Sequence, residues 1–404
     1  MLERPGGRRL SHLQCKEVTN VSARQPDLVV LSHLRWFFVF QRPQHLLTRF
    51  AKERRVFYFE EPVFDVDEPT LELKEGSANL WVATPHLPAR YDESMRQRAL
   101  SGLLDTLLVD HGVESFVLWY YTPMMLPFTR HLRPCAVVND CMDELSMFHG
   151  APPSLAHLET ALMQCTDVMF TGGMSLYEAK RTKHRNLHAM PSSVDVAHFA
   201  QARTGRRDPE DQAHLPHPRL GFFGVLDERL DLALIEAVAL ARPQWQLVIV
   251  GPVVKISESS LPRLANIHYL GAKPYTDLPN YLSGWDVAMM PFAKNDATRY
   301  ISPTKTPEFL AAGRPVVSTS ITDVVRPYGE HGLVRIADTA DAFVAAAESC
   351  LSLDRAAWLP KVDTFLNRTS WDATWARMRD QLDLAVQLKH TRTQASDSVA
   401  ELAL

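Results

Sequence analysis

Residues 300–319 read YISPTKTPEFLAAGRPVVST: a loop that enters a helix, then a Gly-Arg-Pro turn, then a buried strand. The backbone N–H groups of Thr304 and Lys305 stand at the helix start, where they lack helical acceptors, and they suit a phosphate. The helix dipole and the Lys305 ammonium add positive charge at the same place. Ser302 belongs to the same turn. Glu308 lies about one turn deeper, where its two oxygens can accept from the two hydroxyls of a vicinal diol such as a ribose. Taken alone, Ser302 and Pro303 could simply start a helix and Glu308 could answer its dipole. Several residues suited to a nucleotide diphosphate at one strand–helix junction weigh toward the ligand.

A parallel sheet would position such a junction, because ligands of open α/β sheets lie beyond the carboxyl ends of the strands. Short apolar runs alternate with longer amphipathic segments over 27–194. They predict strands at 27–31, 55–59, 79–83, 115–119, 135–138, 167–170 and 186–189, and helices at 41–52, 91–110, 153–164 and 175–182. After Asp195 the alternation stops, and residues 201–218 are rich in Arg, Asp, His and Pro with little to bury. It restarts with RLGFFG (219–224), LVIVG (247–251), NIHYLG (266–271), DVAMMPF (286–292), RPVVST (314–319) and GLVRIA (332–337). Helices are expected between these strands, at 230–241, 276–283, 304–312 and 340–352. Residues 370–388 open with a Ser N-cap and an acidic first turn before a helical periodicity.

The expected fold is therefore α/β: two Rossmann-like doubly wound domains facing across a cleft, with a C-terminal helix crossing back to the first domain. The expected boundaries are a disordered tail at 1–25, the first domain at 26–200, a linker at 201–217, the second domain at 218–370, a crossover helix at 371–390 and a tail at 391–404.

With 404 residues, the chain suits two domains rather than one core. No stretch approaches the roughly 18 uninterrupted apolar residues of a membrane span, and the first 25 residues lack a signal-peptide pattern. Five scattered cysteines without CxxC spacing (Cys15, Cys135, Cys141, Cys165, Cys350) argue against a disulfide framework or a zinc site, which fits a reducing, cytoplasmic compartment. A net charge of −4 gives no reason to expect nucleic acid as a partner. No G-x-G-x-x-G follows any predicted strand, which weakens a bound NAD or FAD.

The 300–319 segment resembles the donor-binding end of GT-B glycosyltransferases, particularly the family-four-like bacterial polysaccharide and teichuronic-acid-type enzymes with S-P-x-K-x-x-E-[FY]-L-A-x-G-[KR]-P-V-V. The resemblance extends to LSHLRWFFVFQRPQHLL (31–47), NDCMDELSMFHG (139–150), DVMFTGGMSLYEAK (167–180), PSSVDVAHF (191–199), GFFGVLDERLD (221–231) and YLGAKPYTDLPNYLSGWDVAMMPF (269–292). It implies a glycosyltransferase that moves a sugar from a UDP- or GDP-sugar to a glycan or lipid-linked acceptor in cell-surface polysaccharide synthesis, with retention. The first domain would present the acceptor and the second would bind the donor.

Such enzymes usually have two glutamates seven residues apart. Glu308 matches the second, the ribose ligand, whereas the first, a sugar contact, falls on Tyr300. They also place an Arg and a Lys on the diphosphate after the first strand of the second domain. Here, beyond Gly224, the Arg position holds Val225 and Arg229 can replace the Lys. By this likeness the donor site is Gly224, Arg229, Ser302, Thr304, Lys305 and Glu308, and Arg229 with Lys305 could neutralise the leaving group without a metal or other cofactor.

In the first domain His33 follows a strand end and could contact the acceptor or the leaving phosphate, or be a loop residue only. Asp140 and Asp143 also follow a strand end. Either could bind the transferred sugar's hydroxyls or accept the acceptor's proton, and Asp140 could instead cap the next helix. These three are the catalytic candidates. Gly172 and Gly173 could let a sugar approach the backbone. Asp65-Val66-Asp67 imitates the DxD metal motif of the other glycosyltransferase fold, but its acidic, Pro-flanked loop predicts no metal.

Trp36, Phe37, Phe38 and Phe40 stand near Arg35, Arg42 and Arg49; they are expected in the core, with docking at the cytoplasmic face of an anionic inner membrane as the alternative. Two other functions stay open: a nucleotide-sugar epimerase of the same fold, and a catalytically silent sugar-nucleotide-binding protein.

Overall fold

A computed structural model of the chain describes residues 25–401. Runs such as DLVVLS (β1, Asp27–Ser32) and VFYFE (β2, Val56–Glu60) are buried at every position, as strands covered on both faces of a parallel sheet must be. Six further strands complete the first sheet: β3 (Thr70–Ser77), β4 (Leu80–His86), β5 (Phe116–Tyr120), β6 (Ala136–Cys141), β7 (Val168–Thr171) and β8 (Leu187–Ala189). Their order is β3-β4-β2-β1-β5-β6-β7-β8, parallel except for the β3–β4 pair. Leu46, Leu47 and Phe50 of the helix Arg42–Phe50 cover one face, and Leu100, Leu104 and Leu107 of the helix Glu93–Asp110 cover the other.

The second sheet comprises β9 (Arg219–Phe223), β10 (Gln246–Val250), β11 (Ile267–Tyr269), β12 (Val287–Met290), β13 (Val316–Ser318) and β14 (Val334–Ile336). All its pairs are parallel, in the order β11-β10-β9-β12-β13-β14. Strand order reverses at β1/β5 in the first sheet and at β9/β12 in the second, so each domain opens a crevice at its switch point. His33 follows β1, and Gly224 follows β9.

Inside β9, Gly221 lies flat against the indole of Trp285: a Cβ there would come within 1.9 Å of Trp285 Cδ2. Trp285 is buried and donates from Nε1 to Gln212 Oε1 at 2.8 Å, so the ring cannot retreat without breaking that bond. Gly221→Ala is expected to cost about 1–3 kcal/mol by overpacking. An unchanged urea midpoint for that variant would show that the ring yields.

Three expectations need correction. Residues 201–217 are not a solvated linker: Ala202 and Leu215 join the second domain's core, and Gln212 is fully buried between Asp208, Tyr281 and Trp285. A helix, Arg355–Leu366, was not expected; Asp354 caps it by accepting from Ala356 N and Ala357 N, and its interior Pro360 hides the periodicity. The last helix runs Trp371–Glu401, beyond the expected end at 390, so most of the tail expected at 391–404 is helical. Its residues Trp371, Met378, Leu382 and Ala385 pack into the first domain, and Asp372, Asp383 and Lys389 pair there with Arg49, Arg54 and Asp167. The tail expected at 1–25, with Cys15, lies outside the described residues apart from Gln25.

Candidate active site

The loop after β12 leads into the helix Lys305–Ala311, with Thr304 as its N-cap residue. Lys305 Nζ donates to Glu308 Oε2 at 3.0 Å and to Thr304 Oγ1 at 3.2 Å, and it lies 4.6 Å from the centre of the Phe223 ring. Glu308 is 5 % exposed. Loss of solvent raises its pKa, and Lys305 opposes the rise by charge and hydrogen bond. Gly224 follows β9 at φ +153, a conformation that favours glycine, and the ammonium stem of Lys305 passes beside it.

A cavity of about 150 Å³ gathers Asp143, Gly224, Arg229, Ser302, Thr304 and Lys305 between the domains. Five of the six anticipated donor residues therefore stand around one space, with Glu308 behind Lys305. Arg229 reaches it already engaged: Nε and Nη2 donate to Asp227 Oδ1 and Oδ2 at 2.9 and 2.6 Å. Asp227 was not anticipated, although its spacing of two residues from Arg229 was visible in LDER. Asp143 faces Arg229 across the cleft. Burial raises its pKa, and the Arg229 charge opposes the rise.

Asp140 does not face the cleft. It lies within β6 at 0 % exposure and accepts from Arg42 Nη2 and Nε at 2.9 and 3.1 Å. Arg42, also buried, continues to Met190 O at 2.7 Å. A carboxylate buried completely and engaged by a fork of donors has no access to a substrate. Asp140 is thus a structural ion-pair partner, and Arg42 is the residue that local pattern could not reveal.

His33 does not line the cavity. Burial, with the Lys255 charge as a lesser cause, lowers its pKa to about 4, so its imidazole is neutral near pH 7. Gly172 and Gly173 admit protein in tight contact: a Cβ on Gly173 would strike Asp323 Oδ2 and Ser302 Cβ of the second domain, and one on Gly172 would strike Met142 O. Asp323 crosses the domain boundary to accept from Ser175 N at 2.9 Å, which caps the helix Met174–Lys180. Tyr300, in the place of the usual sugar-contacting glutamate, packs on the first-domain cluster of Cys141, Met163, Met169 and Leu176.

Asp65 Oδ1 of the DxD-like triplet accepts from His86 Nδ1 at 2.7 Å, and Asp67 lies near Arg90. Among the described residues no three His, Cys, Asp or Glu side chains group as metal ligands would. The aromatic run is only partly core: Trp36 is buried, whereas Phe37, Phe38 and Phe40 are exposed.

Two facing doubly wound sheets, with a cation-lined cleft between their switch points, define the GT-B architecture. Residues 217–352, within the second domain, match the family described as glycosyl transferases group 1, and together with the relative that follows this makes the chain a glycosyltransferase. A relative in Bacillus subtilis (strain 168), provisionally named teichuronic acid biosynthesis glycosyltransferase TuaH, is 26 % identical over 295 residues, 65 % of this chain and 70 % of the relative. A sucrose-phosphate synthase from Thermosynechococcus elongatus superposes with a TM-score of 0.66 at 14 % identity, over 92 % of this chain and 100 % of the other. A UDP-forming α,α-trehalose-phosphate synthase from Burkholderia xenovorans gives 0.63 at 15 % identity, over 89 % and 99 %. These two likenesses concern the fold.

Proposed function

We propose that this glycosyltransferase moves a sugar from a UDP- or GDP-sugar to a glycan or lipid-linked acceptor in the synthesis of a cell-surface polysaccharide, on the cytoplasmic side of the membrane. The observation that carries the donor assignment is the convergence of Gly224, Arg229, Ser302, Thr304 and Lys305 of the second domain on one cavity that Asp143 of the first domain also lines. The relative's link to teichuronic acid biosynthesis supports a polysaccharide product. No helix among the described residues is long and apolar enough to cross a membrane, so a lipid-linked acceptor would be met from the surface.

In the proposed chemistry Lys305 and Arg229 face the diphosphate, and Glu308 turns from Lys305 to the ribose diol. The bond between the anomeric carbon and the diphosphate oxygen breaks, and its electron pair stays on that oxygen. The acceptor hydroxyl bonds to the same face of the carbon, and its proton passes to the departing oxygen. Retention follows with no covalent enzyme intermediate. The two cations stabilise the charge that develops on the leaving group, which is the work a metal ion does elsewhere. Asp143 would orient the transferred sugar's hydroxyls.

A thermal-shift panel of UDP, GDP, CMP, ADP and NAD, each with and without Mg²⁺, tests the donor class, since a ligand that binds only the folded state raises its melting temperature. UDP or GDP is expected to stabilise the chain equally with and without Mg²⁺. A shift with NAD alone, or none with either nucleoside diphosphate, would refute the reading.

A further inference from the structure

The loop that carries Trp36 to Phe40 is built to hold a fixed shape. Trp36 N donates to Glu60 Oε1 at 2.7 Å, and Arg35 Nη1 donates to Glu60 Oε2 at 2.9 Å. Gln44 Nε2 donates to Trp36 O at 2.8 Å and Val39 O at 3.2 Å, while Gln41 N donates to Gln44 Oε1 at 3.0 Å. The buried Trp36 ring meets Tyr58 edge-on with centroids 5.1 Å apart. Despite this bracing, Phe37 and Phe38 remain 62 % and 57 % exposed. Two large apolar rings held in water by a rigid loop serve no folding purpose.

Both rings border a cavity of about 360 Å³ between the domains. Its opposite wall comes from Gly251, Pro252, Ala272 and Lys273 of the second domain. Gly251 has φ +149, and a Cβ there would fall 1.7 Å from Gly224 O, so at this point the wall is bare backbone. The cavity shares Gly224, Val225 and Lys305 with the cleft assigned to the diphosphate. The loop also touches the second domain directly: Phe40 stacks on Tyr275 with centroids 4.5 Å apart, and Tyr275 stacks on His198 at 4.2 Å.

We infer that Phe37 and Phe38 form an aromatic flap by which the first domain stacks on the heterocyclic base of the donor. The inference rests on the donor reading above and adds the residues that grip the base. A slot with glycine backbone in one wall, aromatic faces opposite and Lys305 toward the diphosphate end fits a planar base attached to a ribose diphosphate. Stacking is tolerant of base identity because every base has a π face, so the flap supplies affinity rather than choice between uracil and guanine.

The test compares the wild-type chain with F37A/F38A by calorimetric titration with UDP, GDP and inorganic pyrophosphate. Whichever nucleoside diphosphate binds the wild type is expected to bind the double variant about 5–150-fold more weakly. Pyrophosphate, which has no base, is expected to keep its affinity, and F37W/F38W to restore nucleotide binding. Equal nucleotide affinity in wild type and double variant overturns the flap while leaving the donor site intact. Equal losses for nucleotide and pyrophosphate overturn it too, as a general disturbance of the cleft. No binding of either nucleotide to the wild type removes the donor reading itself. Flotation with phosphatidylglycerol vesicles covers the rival use of exposed aromatics: vesicle binding lost in the double variant, with nucleotide affinity unchanged, assigns the rings to a membrane surface.

Discussion

Asp140→Ala is expected to destabilise the first domain by about 3–5 kcal/mol, because it leaves the Arg42 guanidinium buried without its counter-ion. Asp140 and Arg42 are 0 % and 2 % exposed, so water cannot replace the lost oxygens. At roughly 2–4 °C per kcal/mol for a domain of this size, the melting temperature should fall by about 10 °C. Arg42→Met combined with Asp140→Leu removes both charges together and is expected to recover much of that loss, since a buried pair repays little beyond its own desolvation. The measurement is thermal unfolding of the single and double variants. If Asp140 were instead a catalytic group, Asp140→Asn would abolish turnover with the melting temperature unchanged, and that outcome would return it to the active site.

Much of the architecture was legible because parallel strands advertise themselves. β1, β2 and β10 are near-continuous apolar runs, and each appears within a residue or two of its expected place. β3 was missed for the opposite reason. TLELKEGS is an exposed antiparallel edge strand whose charged residues look like loop, and only Leu71 and Leu73, alternating with polar residues, betray it. Residues 201–217 misled because one polar side chain among them, Gln212, is fully buried and bonds Asp208 and Trp285, while Asp208 also pairs with the buried Arg219 of β9.

At the site, spacing sufficed wherever neighbours in sequence are neighbours in space. Lys305 and Glu308 are separated by one helical turn, and the structure joins them. It failed for contacts that only tertiary folding creates. Nothing near Asp140 in sequence announces Arg42, 98 residues away. Gly173 meets Asp323 across the domain boundary rather than a sugar. Tyr300 is the most informative departure. Where the resemblance leads one to expect a sugar-contacting glutamate, Tyr300 makes an apolar contact between domains, and on the proposed function Asp143, which lines the cleft, would meet the sugar's hydroxyls instead.

The Lys305–Glu308 pair separates catalysis from donor binding and predicts opposite kinetic signatures for its two members. In the chain without donor each side chain holds the other: the ammonium opposes the rise that burial imposes on the carboxyl's pKa and stands beside Gly224. On the proposed function, donor entry would turn the ammonium to the diphosphate and the carboxylate to the ribose. Charge on the leaving diphosphate grows toward the transition state, so Lys305 contributes most there. Lys305→Ala is expected to lower kcat by about 10²–10³-fold, the usual cost of removing one preorganised partner of a developing negative charge. It also removes the cation that opposes the upward pKa shift of Glu308, so that carboxyl titrates higher still in the variant, and donor binding should weaken as pH falls toward that raised pKa. The ribose, by contrast, does not change during the reaction. Glu308→Ala therefore removes binding common to ground and transition states and should raise the donor KM with little change in kcat. Initial-rate kinetics over a range of donor concentrations decide the matter: a KM effect for Lys305→Ala with kcat intact would move the leaving-group role to Arg229, which would then have to release Asp227 to perform it.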